Sequence, residues 1–113
     1  MNMIISSLKI YPGPEDWKSV LAIFRTVDWS LKEVPGCIES SYTEGRNGVS
    51  EYLVQIVSWH SEADLARYIR SGSFDRLLSV MELSKVSPEI RFHVISETRG
   101  MEYVESLRAV ACK

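Results

Sequence analysis

The chain has 113 residues, which suits one domain with one core. Hydrophobic residues make up 45% and charged residues 25%, with net charge −2 and pI about 5.7, so it lacks the positive field that nucleic acid or an anionic membrane surface requires. No run approaches the roughly 18–20 apolar residues of a membrane span. The start, Met1-Asn2-Met3-Ile4-Ile5-Ser6-Ser7, has no basic region of the signal-peptide kind, and the cytoplasm is the expected location.

Residues 3–11 alternate and are rich in Ile, Leu and Tyr, which predicts a first strand. Pro12-Gly13-Pro14 ends it, and Glu15-Asp16 place negative charge at the start of a helix. Trp17, Val20, Leu21, Phe24, Val27, Leu31 and Val34 then recur at helical spacing. Trp29 and Ile23 fall off this stripe, which leaves either a bend near Asp28 or a contact of Trp29 with a partner. Pro35-Gly36 stops the helix.

Residues 37–44 alternate again, with Ile38, Ser40 and Tyr42 set against Glu39, Ser41 and Thr43. Gly45-Arg46-Asn47-Gly48 reads as the turn of a β-hairpin whose second strand is 51–59. That strand shows Leu53, Gln55, Val57 and Trp59 on one face and Tyr52, Val54, Ile56 and Ser58 on the other. A sheet covered by helices on one side should be mostly polar on its second face. Two apolar faces ask for a second layer, and the sheet of another subunit would supply it.

Ser61 and Asp64 stand in capping-box positions at the head of a helix over 61–84, which Ser71-Gly72-Ser73 divides. Leu65, Tyr68 and Ile69 form one apolar patch, and Phe74, Leu77, Leu78 and Met81 another. Residues 86–96 read as a fourth strand, with Ile90, Phe92 and Val94 alternating against Arg91 and His93. A short helix over 101–110 follows Glu97-Thr98-Arg99-Gly100. The order β, α, β, β, α, β with a tail helix is the split-βαβ, ferredoxin-like arrangement of an α+β domain with an antiparallel sheet.

The residues offer little conventional chemistry. Cys37 and Cys112 have no ligand spacing and read as free thiols in the cytoplasm. His60 sits at a helix N-terminus, where positive charge is unfavourable, and is expected to be exposed and neutral. His93 alternates with Phe92 and Val94, and no His pairs with a carboxylate at metal spacing. Glu15, Asp16, Glu33, Glu62, Asp64, Asp75 and Glu82 read as solvated helix faces. No phosphate loop and no nucleophile elbow is present.

The segments Val34-Pro35-Gly36-Cys37, Trp59-His60-Ser61-Glu62-Ala63-Asp64-Leu65, Tyr68-Ile69-Arg70-Ser71-Gly72-Ser73-Phe74 and Ser87-Pro88-Glu89-Ile90 together resemble the antibiotic biosynthesis monooxygenase family. The resemblance covers residues 3–97 and leaves 98–113 as a tail. It implies a homodimeric α+β barrel and a cofactor-independent monooxygenase acting with dioxygen on a quinol or a polyphenolic or polyketide aromatic. No flavin, metal or heme is then needed. The family has a Trp at the Trp-x-Ser position, here Trp59, bordering a cavity between sheet and helices. Trp59 and Tyr68 are the candidate catalytic residues, and Gln55, Leu65, Arg70, Phe74 and Leu77 the candidate substrate contacts, with Arg70 at the mouth. Many members carry a His where this chain has Tyr68. Heme-degrading relatives place an iron-ligating His ten residues after Tyr68, where this chain has Leu78, so residue type disfavours heme chemistry. For Trp59 the competing reading is a core indole locking helix to sheet, and for Tyr68 an ordinary half-buried phenol. The rival function is a small-ligand-binding or stress-response protein without turnover, since a fold does not fix a reaction.

Overall fold

A computed structural model describes residues 2–111, and Cys112 lies outside them. The elements are β1 (Met3–Ile10), α1 (Trp17–Leu31), β2 (Cys37–Asn47), β3 (Ser50–Trp59), α2 (Glu62–Ile69), α3 (Gly72–Met81), β4 (Glu89–Ile95) and α4 (Met101–Ala111). One antiparallel sheet runs β2-β3-β1-β4, so the expected ferredoxin-like α+β topology holds.

The helices α1, α2 and α3 lie on one face of this sheet. From β1 that face receives Ile4, Leu8 and Ile10, and from β3 it receives Leu53, Gln55, Val57 and Trp59, all buried. Val20, Phe24, Val27 and Leu31 of α1 complete the core from above. The period-2 and period-3.6 patterns thus meet where the sequence places them.

Several boundaries differ from the sequence expectation. The hairpin turn is the two residues Gly48-Val49, not the cluster from Gly45, because the Tyr52 ring lies over Gly45 and keeps it in the ladder. Gly48 has φ +66°, and among the described residues no non-Gly residue, Val49 included, has positive φ, the signature of a type II′ turn. A bulge skips Ile38 between Cys37 and Glu39. It puts Cys37 on the same face as Ser40 and leaves Ile38 exposed, against the simple alternation. Helix α1 ends at Leu31, and Val34 packs on the core from the turn beyond it. Trp29 is 76% exposed on the outer side of α1. β4 begins at Glu89 rather than 86, since residues 84–85 bond sideways to Tyr11 and Pro88 lacks an N–H for the ladder.

The second face of the sheet carries Ile5, Tyr52, Val54, Ile56, Arg91 and His93 and has no helix over it. Ile56 is exposed there, and Lys9 sits over the Tyr52 ring at 4.1 Å. Among the described residues no helix is long and apolar enough to cross a membrane.

Candidate functional site

The site is built where β3 hands the chain to α2. The N–H of His60 donates to the Gly36 carbonyl at 2.8 Å, fixing the strand end against the α1–β2 turn. Ser61 then caps α2: its Oγ accepts from the Asp64 N–H at 3.3 Å and donates to Asp64 Oδ2 at 2.8 Å. His60 is exposed beside Asp64, and His93 is exposed on the helix-free face. Ser71 forms the second joint. It donates to the Tyr68 carbonyl at 2.6 Å and caps α3 by accepting from the Phe74 N–H at 3.4 Å. The Ser-Gly-Ser break therefore sets the angle between Tyr68 and Phe74.

Trp59, Tyr68 and Phe74 form one aromatic run. The Trp59 and Tyr68 rings lie 4.9 Å apart and tilted, and Tyr68 meets Phe74 edge-on at 5.7 Å. Trp59 is fully buried, and its indole N–H donates to Ser6 Oγ at 3.3 Å.

A cavity of about 10 Å³ lies between this run and the sheet, room for one water at most. Of the residues singled out from sequence, Gln55, Leu65, Tyr68, Phe74 and Leu77 line it. Trp59 does not; it lies behind Tyr68 as part of the core. Arg70 does not either: it is the exposed C-cap of α2, outside the lining. Ser6, Ser7, Leu8, Ile90 and Phe92 complete the wall and were missed, although the alternation of β1 and β4 is visible in the sequence.

Two lining groups lack partners. Tyr68 and Gln55 are both at least nine-tenths buried, yet the Tyr68 hydroxyl and Gln55 Nε2 make no hydrogen bond. The Gln55 amide is close enough to act on the phenol, without normal bonding geometry. Buried polar groups are almost always paired, so this pair marks a place for another polar atom. Burial, and then the neighbouring Cys37, push the Tyr68 hydroxyl well above the ordinary phenol value. Burial and Asp28 likewise push the half-buried Cys37 thiol up. Neither is a base at neutral pH, and no His or carboxylate lines the cavity. Among the described residues no cluster of three His, Cys, Asp or Glu could hold a metal ion.

A larger cleft of about 690 Å³ opens at the hairpin tip between Tyr11, Trp17, Val49, Glu51 and Lys85. It is wide and solvent-filled, and it holds no buried unpaired polar group. The smaller cavity is therefore the better candidate despite its size.

No protein-family model matches this sequence, and no curated protein matches it significantly. Solved structures match it well. A provisionally assigned antibiotic biosynthesis monooxygenase from Deinococcus radiodurans superposes with TM-score 0.74 at 11% identity, covering 86% of this chain and 96% of that one. One from Nitrosomonas europaea, with the same provisional assignment, gives 0.72 at 9% identity, over 87% and 94%. Rv0793 from Mycobacterium tuberculosis gives 0.72 at 14% identity, over 87% and 99%. The chain has their fold. At these identities the likeness is one of architecture and carries no substrate.

Proposed function

We propose that the protein binds a small oxygenated aromatic between the sheet and α2–α3, as a homodimer, and oxidises it with dioxygen without a cofactor. The observation that carries this reading is the unpaired couple of Tyr68 hydroxyl and Gln55 Nε2 in a largely apolar cavity. A phenol or quinone oxygen would accept from both, while Leu65, Leu77 and Phe74 would hold the ring. The naming of structural neighbours as monooxygenases supports the same reading.

The reaction would draw its electrons from the substrate. A quinol, once ionised, passes electrons to dioxygen; one oxygen atom enters a ring carbon and the other leaves as water, giving a hydroxyquinone. Tyr68 would act as a hydrogen-bond partner, since its hydroxyl stays protonated, and the cavity would orient the ring and exclude bulk water. Entry requires Phe74 or Phe92 to swing outward, which is feasible because no helix packs over β4.

A second reading has its own support. No lining group is a base at neutral pH, which suits a binding protein without turnover. Oxygen uptake with a panel of hydroquinones separates the two. Saturable uptake that Tyr68→Phe and Gln55→Leu each lower about 10-fold or more, the equivalent of ~1.4 kcal/mol or more of lost contact, is the expected result. Saturable binding with no uptake above the buffer rate would leave the binding reading in its place.

A further inference from the structure

We propose that α4 docks in trans, on a second copy of this chain, in the trough along β4 that forms the open side of the Tyr68 cavity. Two apolar surfaces in this molecule have no cover. The first is β4. Its Ile90, Phe92 and Val94 pair with Leu8, Ser6 and Ile4 and so face the helix side of the sheet. α1 packs chiefly over β2 and α2 over β1 and β3, so α2 and α3 meet Ile90 and Phe92 only at the edge of the Tyr68 cavity. Phe92 is 44% and Val94 61% exposed, although their strict alternation is the pattern of a buried strand.

The second is α4. Met101, Tyr103, Val104 and Leu107 are all exposed, and among the described residues no element packs extensively along the helix. The Cα radius of gyration is 16.9 Å, against about 13 Å for a compact chain of this length. The helix therefore stands away from the body. An eleven-residue helix is ~16 Å long and the span from Ile90 to Val94 is ~13 Å, so the two surfaces match in length.

The connection between them favours a second copy over a fold-back. Arg99 donates to both carboxylate oxygens of Glu97, at 2.9 and 3.1 Å, and its guanidinium lies over the Tyr103 ring at 4.7 Å. The Gly100 N–H donates to Glu102 Oε1 at 2.9 Å. Among the described residues these contacts tie 97–103 to one another and not to the body of the same chain. The proposal rests on the same cavity as the proposed function but not on any turnover there.

Cross-linking tests it on the full chain, in a Cys37→Ser, Cys112→Ser background, with a short bismaleimide. Mixing a Leu107→Cys chain with a Val94→Cys chain should give a linked pair containing one of each. The pair should form ~100-fold faster than with Glu105→Cys on the polar side of α4, because docked thiols meet at an effective concentration in the millimolar range. A chain carrying both Leu107→Cys and Val94→Cys should link between molecules. If that double variant instead closes within one chain, α4 folds back in cis and the proposal is wrong. If mixing gives no excess over the Glu105→Cys control, α4 does not reach β4 at all. The assay needs neither quinol nor oxygen, so its failure would leave the cavity reading standing, and a failed oxidation would leave this one standing.

Discussion

Tyr68 shows how burial sets chemistry at a single residue. Its hydroxyl titrates above the ordinary value of about 10 because the phenolate would lose its solvation and face Cys37. In the unfolded chain the phenol ionises near 10, so above that pH the unfolded state releases a proton that the folded state keeps. The stability from this group is therefore complete below about pH 10 and is lost as pH rises from there towards the folded value. Phenolate absorbance of the folded protein should show a component from Tyr68 that appears only with unfolding. In Tyr68→Phe the delayed component should vanish. Trp59, in contrast, is a core residue by contact. Trp59→Phe should stay folded in urea titrations but lose ~1–3 kcal/mol, through lost ring volume and the loss of the indole bond to Ser6.

At the scale of elements, two glycines make opposite demands. Gly36 has φ +87°, and a Cβ there would collide with the Asp64 side chain that Ser61 holds in place. Gly36→Ala combines a left-handed backbone with this clash at the joint between the α1–β2 turn and α2. A loss of ~2 kcal/mol or more is expected in denaturant midpoint measurements. Gly72 opens α3 with no positive φ and nothing near its would-be Cβ. Gly72→Ala should raise stability by ~0.4–1 kcal/mol, by restricting the unfolded chain, and raise the thermal midpoint slightly. If both substitutions behaved alike, the joint at Gly36 would not be as tight as drawn.

For the whole molecule, the second face of the sheet has no helix over it, and a second copy of the chain is our proposal for its cover. Val54 and Ile56 follow one another along β3 on that face, and Ile5 of β1 lies diagonally across from Ile56. A full-chain sample at micromolar concentration should sediment at twice the chain mass. Ile56→Glu, which places a charge at the centre of the patch, should shift it towards the monomer. A parent chain that sediments as a monomer would remove the dimer and leave the fold untouched.

The sequence by itself determined the elements and their order. Caps at Ser61 and Ser71, the stop at Pro35-Gly36 and the two hydrophobic periods are local, and each acts within a few residues. Five of the seven residues singled out for the site line one cavity, because Gln55, Leu65, Tyr68, Phe74 and Leu77 share inward positions on β3, α2 and α3. What only the tertiary structure decided is which element covers which strand. The Tyr52 ring over Gly45 moved the hairpin turn, and the bulge at Ile38 reversed one position of β2. The cavity takes its far wall from Ser6 and Phe92, strand partners 86 residues apart in sequence. Arg70 falls outside and Phe92 and Val94 stay partly exposed for the same reason. Both depend on where α2 and α3 settle over the sheet, and that is fixed by packing between distant residues, which no local pattern encodes.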